Sequence, residues 1–181
     1  MSRLPALARE DMTPEQRRVH DEIVTGPRGR IEGPHRAWLH SPGLADPAQR
    51  LGAYVRFDSR LTPRQRELAI LVTGAHHKAE YEWYAHVRFA HAAGIPESVT
   101  EAIRQGETPA LDDPAERVVH RAALELNRDH RLSGETHDEA VALLGLPTLV
   151  DLVGTVGYYG LVSLTLNAFE VPTPDGSSAF G

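Results

Sequence analysis

Three near-identical helix starts constrain this chain more than any other feature. Thr13-Pro14-Glu15-Gln16, Thr62-Pro63-Arg64-Gln65 and Asp113-Pro114-Ala115-Glu116 share one arrangement. A side-chain oxygen stands ready to take an unpaired backbone N–H, proline occupies the first helical position, and Gln or Glu follows three residues after the cap. Pro96 after Gly94-Ile95 and Pro147 after Gly145-Leu146 mark two more reversals into helix. Between these starts the apolar spacing is helical. Leu68, Leu71, Val72 and Ala75 fall at i, i+3, i+4 and i+7, Val118, Ala122, Leu124 and Leu126 follow less cleanly, and Val141, Leu143 and Leu144 close a helix that Gly145 stops. No run alternates in the manner of a strand flanked by hairpin turns. The expectation is an all-α fold with almost no strand.

A length of 181 residues suits a single domain able to bury its own core. Residues 1–172 are expected to form one helical domain and residues 173–181, rich in Pro, Gly and Ser, a flexible tail. The Gly- and Pro-rich stretch Gly26–Pro47 predicts a loop with a short helix over His35–His40. The most apolar stretch, Leu143–Phe169, is broken by Gly145, Pro147, Asp151, Gly154, Gly157 and Gly160. It reads as a buried helix from Leu149 to about Phe169 rather than a membrane span. Its glycines imply close helix contact, within the chain or between subunits. The first eleven residues carry Arg3 and Arg9 and no apolar run, so no signal peptide is expected and a cytoplasmic location is.

Nineteen Lys and Arg against 25 Asp and Glu give a net charge of −6, with no basic cluster to offset it. A nucleic-acid partner is therefore not expected. The chain has no cysteine, which excludes disulfides, thiolate nucleophiles and cysteine-held metals.

The chemistry concentrates between Glu67 and Ala93. Glu67 is in phase with Ile70, Leu71 and Gly74, which predicts a partly buried carboxylate, either unpaired or bonded to Arg64 or Arg66. Glu82 and His86 are four apart, one above the other on a helix, and their face continues through the apolar Phe89, Ala90 and Ala93. A carboxylate beside an imidazole fixes its tautomer, and the two form a candidate general acid/base unit; an exposed helix pair is the plainer alternative. Tyr81, Trp83, Tyr84 and Phe89 crowd the same helix although aromatics make up only 6% of the chain. They suggest a pocket wall, an oligomer contact or ordinary core. Glu67, Glu82 and His86 with His76 or His77 could gather a divalent ion, but His76-His77-Lys78 is more simply a cationic end to the helix from Pro63. The remaining histidines, His35 among them, read as structural or surface residues.

The string Arg66-Glu67-Leu68-Ala69-Ile70-Leu71, then Glu80-Tyr81-Glu82-Trp83-Tyr84-Ala85-His86, then Ala92-Ala93-Gly94, resembles the signature of the carboxymuconolactone decarboxylase/alkyl hydroperoxidase D-like superfamily. The Glu and His of the peroxidase branch are matched by Glu67 and His86, while its two cysteines are replaced by Ala79 and Glu82. Glu82-Trp83-Tyr84-Ala85-His86 also resembles the E-W-x-x-H of the decarboxylase branch. The likeness spans roughly residues 36 to 172, taking in His40–Leu44, Leu61–Arg64 and Gly157–Ala168.

This resemblance implies an alkyl hydroperoxidase D-like helical fold assembled as a trimer or hexamer. Without thiols it implies no peroxidase activity. What it leaves is cofactor-independent acid/base chemistry, decarboxylation or a related lyase or isomerase step, on a small unsaturated carboxylic acid or lactone. His86 would donate the proton, Glu82 would orient it, and Glu67 would anchor the network behind both. Tyr81, Trp83 and Tyr84 would shape the substrate pocket, and an unassigned arginine would hold the substrate carboxylate. No metal or cofactor is expected. The competing expectation is a non-catalytic small-molecule-binding oligomer of the same fold.

Overall fold

The computed structural model describes residues 2–181. It is all-helical, with no strand among the described residues. A single 3-10 turn, Arg9–Asp11, precedes α1 (Pro14–Thr25), α2 (Pro34–Trp38) and α3 (Pro42–Ala53). A π-helical turn, Tyr54–Asp58, then leads to α4 (Pro63–His76), α5 (Glu80–Ala92), α6 (Glu97–Gln105), α7 (Pro114–Arg128), α8 (Gly134–Leu144) and α9 (Leu146–Ala168).

The caps form where the sequence places them. Thr13 with Gln16 and Thr62 with Gln65 make reciprocal capping boxes, and Asp113 accepts from the Ala115 N–H. Gly145, at φ +81°, ends α8 and admits α9, which starts three residues before the expected Leu149. The stretch expected to be a loop up to Pro47 is half helix, because α3 begins at Pro42. Proline suits the first helical position, and Pro47 inside the helix forfeits only one backbone bond.

α4 is the central element. Leu68 through Gly74 are all buried, so the expected stripe is in fact a helix enclosed on every side. Its Leu68, Leu71 and Val72 pack into a larger apolar cluster with α6, α7 and the first half of α9. Ile70 faces a second cluster with Val19, Ile23, Trp38, Val55, Tyr158 and Tyr159. α9 serves both clusters, consistent with a core helix although its length and composition would also suit a membrane span. Its buried Asp151 accepts from Tyr54 Oη and the Arg60 N–H, both at 2.9 Å. The residue that interrupts the apolar run thus ties α9 to the π-helical turn.

Residues 173–181, expected to be free of packing, are docked. Glu80 accepts from Ser178 Oγ, the Ala179 N–H and the Phe180 N–H at 2.7, 2.6 and 3.1 Å. Arg104 donates to the Ala179 carbonyl, and the Phe180 ring meets Trp83 edge-on at 5.5 Å. One buried aromatic contact and a carboxylate offering several acceptor sites hold a segment whose composition suggests no packing at all.

Close approach is tightest at Gly52 on α3. A Cβ there would stand 2.0 Å from Tyr158 Oη and 2.6 Å from Arg28 Nη2. Gly52→Ala should cost about 1–3 kcal/mol, as overpacking of a filled interior does. Urea denaturation would show it as a lower midpoint at unchanged slope; an unaltered midpoint would mean that the α3–α9 contact is looser than described.

Candidate active site

Two helices bring three buried ionisable groups together. α4 supplies Glu67, and α5 supplies Glu82 and His86 one turn apart. All three are 3–4% exposed. His86 Nδ1 lies 2.7 Å from Glu67 Oε2, and His86 Nε2 lies 3.0 Å from Glu82 Oε1. The imidazole is therefore gripped between two carboxylates, one from each helix. The expected convergence of these residues is present, with one difference in arrangement: Glu67, not Glu82, makes the well-formed hydrogen bond. Glu82 Oε1, close to Nε2 but off the line of a hydrogen bond, has no bonding partner. Of the two arginines considered beside Glu67, Arg66 lies 3.6 Å away, whereas Arg64 pairs with Glu116.

Aromatic rings enclose the imidazole. Tyr159 from α9 meets it edge-on at 5.1 Å, and Phe89, one turn further along α5, stands tilted at 5.7 Å. Arg56, on the π-helical turn, comes within 3.3 Å of His86 Nε2 through Nη1, with its guanidinium 4.5 Å above the Phe89 ring. The π turn is closed by the Ser59 N–H donating to the Tyr54 carbonyl, five residues back.

These groups border a cavity of about 540 Å³, within the range of roughly 300–1,000 Å³ usual for small-molecule sites. Glu82, His86, Tyr81 and Tyr84 line it, and Glu67 stands behind His86, outside the lining. Trp83 does not line it; its side chain is buried in the larger apolar cluster under Phe180. A run of aromatics on one helix cannot face one way, so the odd member of Tyr81-Glu82-Trp83 went to the core. His76 and His77 end α4 away from this cavity, His76 bordering a separate hollow. Among the described residues no group of three or more His, Asp or Glu is arranged to hold a metal.

Several residues of the site were not legible beforehand. Arg28, Arg56 and His35 line the cavity with Tyr158 and Tyr159. Their positions depend on how α2, α3 and α9 cross α5, and no spacing within one segment reports that.

Burial governs the electrostatics. It pushes the Glu82 carboxyl up, opposed by His86, Arg56 and Arg28 and reinforced by Glu67. It also pushes the Tyr159 hydroxyl far up, so that group stays protonated. The Glu82 carboxyl can thus carry a proton at the cavity surface beside Nε2, while Glu67 holds the far nitrogen.

What the fold and site define is an all-helical protein with a buried carboxylate–imidazole–carboxylate group lining a mid-sized cavity. Residues 42–125 match the carboxymuconolactone decarboxylase family. Among solved structures, the chain is similar to the alkylhydroperoxidase AhpD core of an uncharacterized peroxidase-related protein from Ralstonia eutropha JMP134, with a TM-score of 0.78 and 17% identity over 99% of this chain and 97% of that one. It is also similar to a peroxidase-related protein from Silicibacter sp. TM1040, with a TM-score of 0.76 and 15% identity over 98% and 95%. The debrominase Bmp8 matches with a TM-score of 0.73 and 14% identity over 94% and 91%. No curated protein matches the chain. Residues 42–125 thus carry the family's sequence pattern, the whole chain shares the fold of these alkylhydroperoxidase-like structures, and it contains no cysteine.

The raised Glu82 carboxyl has a consequence for stability. Between the ordinary carboxylate range and the raised value, the folded chain binds this proton more tightly than the unfolded chain does. Wild-type stability from this group is therefore present at low pH and lost as pH rises through the folded value. Glu82→Gln removes the dependence, so the variant should gain on wild type as pH rises above the ordinary carboxylate range. Denaturant midpoints at each pH measure this, and a gap that stays constant would contradict the assignment.

Proposed function

We propose that this protein is an enzyme of cofactor-independent acid/base chemistry, decarboxylation or a related lyase or isomerase step, on a small unsaturated carboxylic acid or lactone. The observation that carries the reading is the buried imidazole held between Glu67 and Glu82 at a cavity wall. A structural histidine needs one partner; this one has an acidic oxygen at each ring nitrogen, one of them left without a bond of its own.

The division of labour follows from the geometry. Glu67 accepts from Nδ1–H and so fixes the ring and its tautomer, the orienting role that the sequence suggests for Glu82. Nε2 then faces the cavity beside Glu82, and the proton that burial favours on the Glu82 carboxyl is available to a substrate carbon. In a decarboxylation the electron pair of the breaking carbon–carboxylate bond moves into the conjugated carbonyl, carbon dioxide leaves, and the dienolate takes that proton. Arg56, beside Nε2, would oppose the negative charge that develops on the enolate oxygen. The rings of Phe89 and Tyr159 limit water at the reacting centre. Tyr81 and Tyr84 would shape the pocket. No thiol is needed at any step.

Screening unsaturated lactone acids for carbon dioxide release and product formation tests this directly. On an accepted substrate, His86→Ala should lower kcat by about 10²–10⁴-fold, and Glu67→Gln by a smaller factor. Substrates that bind equally to wild type and His86→Ala without turnover by either would favour the binding-only alternative.

The same reading has the chain assembled with copies of itself. Leu146, Val150, Val153, Leu161 and Leu164 form an exposed apolar stripe along α9, and a Cβ at Gly154 or Gly157 would meet nothing within 4 Å. A second copy of α9 could approach there closely, burying a surface that is costly to leave in water. Val150→Glu should therefore convert the oligomer to monomer by size-exclusion chromatography with light scattering; an unchanged mass would place the contact elsewhere.

A further inference from the structure

The acid/base group occupies one part of the cavity, and the chemistry above leaves another part unused. Arg28, on the loop between α1 and α2, His35 on α2 and Tyr158 on α9 border the same hollow. Arg28 Nε and Nη2, His35 Nε2 and Tyr158 Oη are all buried without a hydrogen-bond partner. His35 and Tyr158 are 5% and 3% exposed. Buried polar atoms are ordinarily paired; here Arg28 Nη2 and Tyr158 Oη stand side by side against Gly52 with no partner but each other, and His35 Nε2 has none, a set that matches the polar groups of a ligand.

The chemistry of each atom is fixed by its surroundings. His35 Nδ1 lies 3.1 Å from the Glu32 carbonyl and donates to it. Burial, with Arg28 nearby, holds His35 down to about 4, so the ring is neutral and Nε2 carries a lone pair. Burial also pushes Tyr158 up to about 12, leaving its hydroxyl protonated and able to donate. Arg28 is a permanent cation. The set therefore offers a positive charge with free donors, a hydroxyl donor, and a separate acceptor that only a ligand donor can satisfy. The Tyr159 ring stands between this set and the reacting centre, 5.3 Å from the Tyr158 ring and 5.1 Å from that of His86.

We infer that Arg28, Tyr158 and His35 form an anchoring subsite for a 2-hydroxycarboxylate, the carboxylate on Arg28 and Tyr158 and the neighbouring hydroxyl donating to His35 Nε2. A plain carboxylate leaves His35 unpaired. A 2-amino acid would bring its ammonium beside the Arg28 guanidinium. None of the three residues lies within the family-matched segment 42–125, so this subsite is a feature of the chain's own flanking segments. The inference rests on the cavity being the substrate site and adds which acids it accepts.

The test is titration calorimetry on the full chain with mandelate, phenylacetate and phenylglycine, three acids of similar size that differ at the carbon beside the carboxylate. Wild type should bind mandelate roughly tenfold more tightly than phenylacetate, the worth of one hydrogen bond to an otherwise unpaired buried group, and phenylglycine most weakly. Arg28→Gln should weaken mandelate and phenylacetate together. His35→Phe should erase the preference for mandelate while retaining phenylacetate. Because a buried His35 variant can fail to fold, the ¹⁵N resonance of His35 Nε2 in wild type gives a second readout, shifting with mandelate and not with phenylacetate. Equal affinities for the two acids, an unaffected Arg28→Gln, or no binding of any of the three would overturn the inference. A preference for mandelate with no turnover of any lactone acid would count against the proposed chemistry alone, and turnover without that preference against this subsite alone, so the two failures give different results.

Discussion

The contact on which the site depends is the hydrogen bond between His86 and Glu67, made in a place almost without water. An exposed pair of this kind is worth little, because solvent competes for both partners. Here both are nearly inaccessible, so neither has an alternative, and losing one would strand the other as an unpaired buried polar group. The bond also joins α4, enclosed on all sides, to α5, the helix that borders the cavity. Rigidity at the most buried element is thereby passed to the ring nitrogen that faces the cavity.

Glu82 is the counterpart of that fixed bond. Its oxygen is near His86 without being satisfied by it, and burial favours its protonated form. One carboxylate is committed to holding the ring and the other is left free to exchange a proton. Two acids of the same type acquire different duties because α4 carries one behind the imidazole and α5 carries the other beside the cavity.

Much of this was legible in the residues. Thr13, Thr62, Asp113 and Gly145 act locally, through bonds to their own neighbours, and local chemistry can be read from a string. The spacing of Glu82 and His86 fixes their stacking because helical geometry is regular. Glu67 could be assigned to the same site only through the family signature, since nothing in its phase says which helix it meets. Arg28, Arg56, His35 and Tyr158 were beyond reach for the same reason: each arrives from a different element, and their meeting is set by helix crossings. Trp83 shows the converse. Its aromatic character suggests a pocket wall, yet the Phe180 end of the chain covers it, a contact made across about 97 residues of sequence.

The turn that presents Arg56 holds one more residue per loop of backbone than an ordinary helix, closed by the bond from Ser59 back to Tyr54. In such a turn the direction of a side chain depends on how many residues are present, more than on which they are. Shortening Tyr54–Asp58 by a single residue would let the segment relax to regular winding and swing the positions beyond the cut by about 100°. The guanidinium beside His86 is therefore tied to chain length at this point, and related chains differing there by one insertion or deletion would keep the arginine in their sequence while losing it from their cavity.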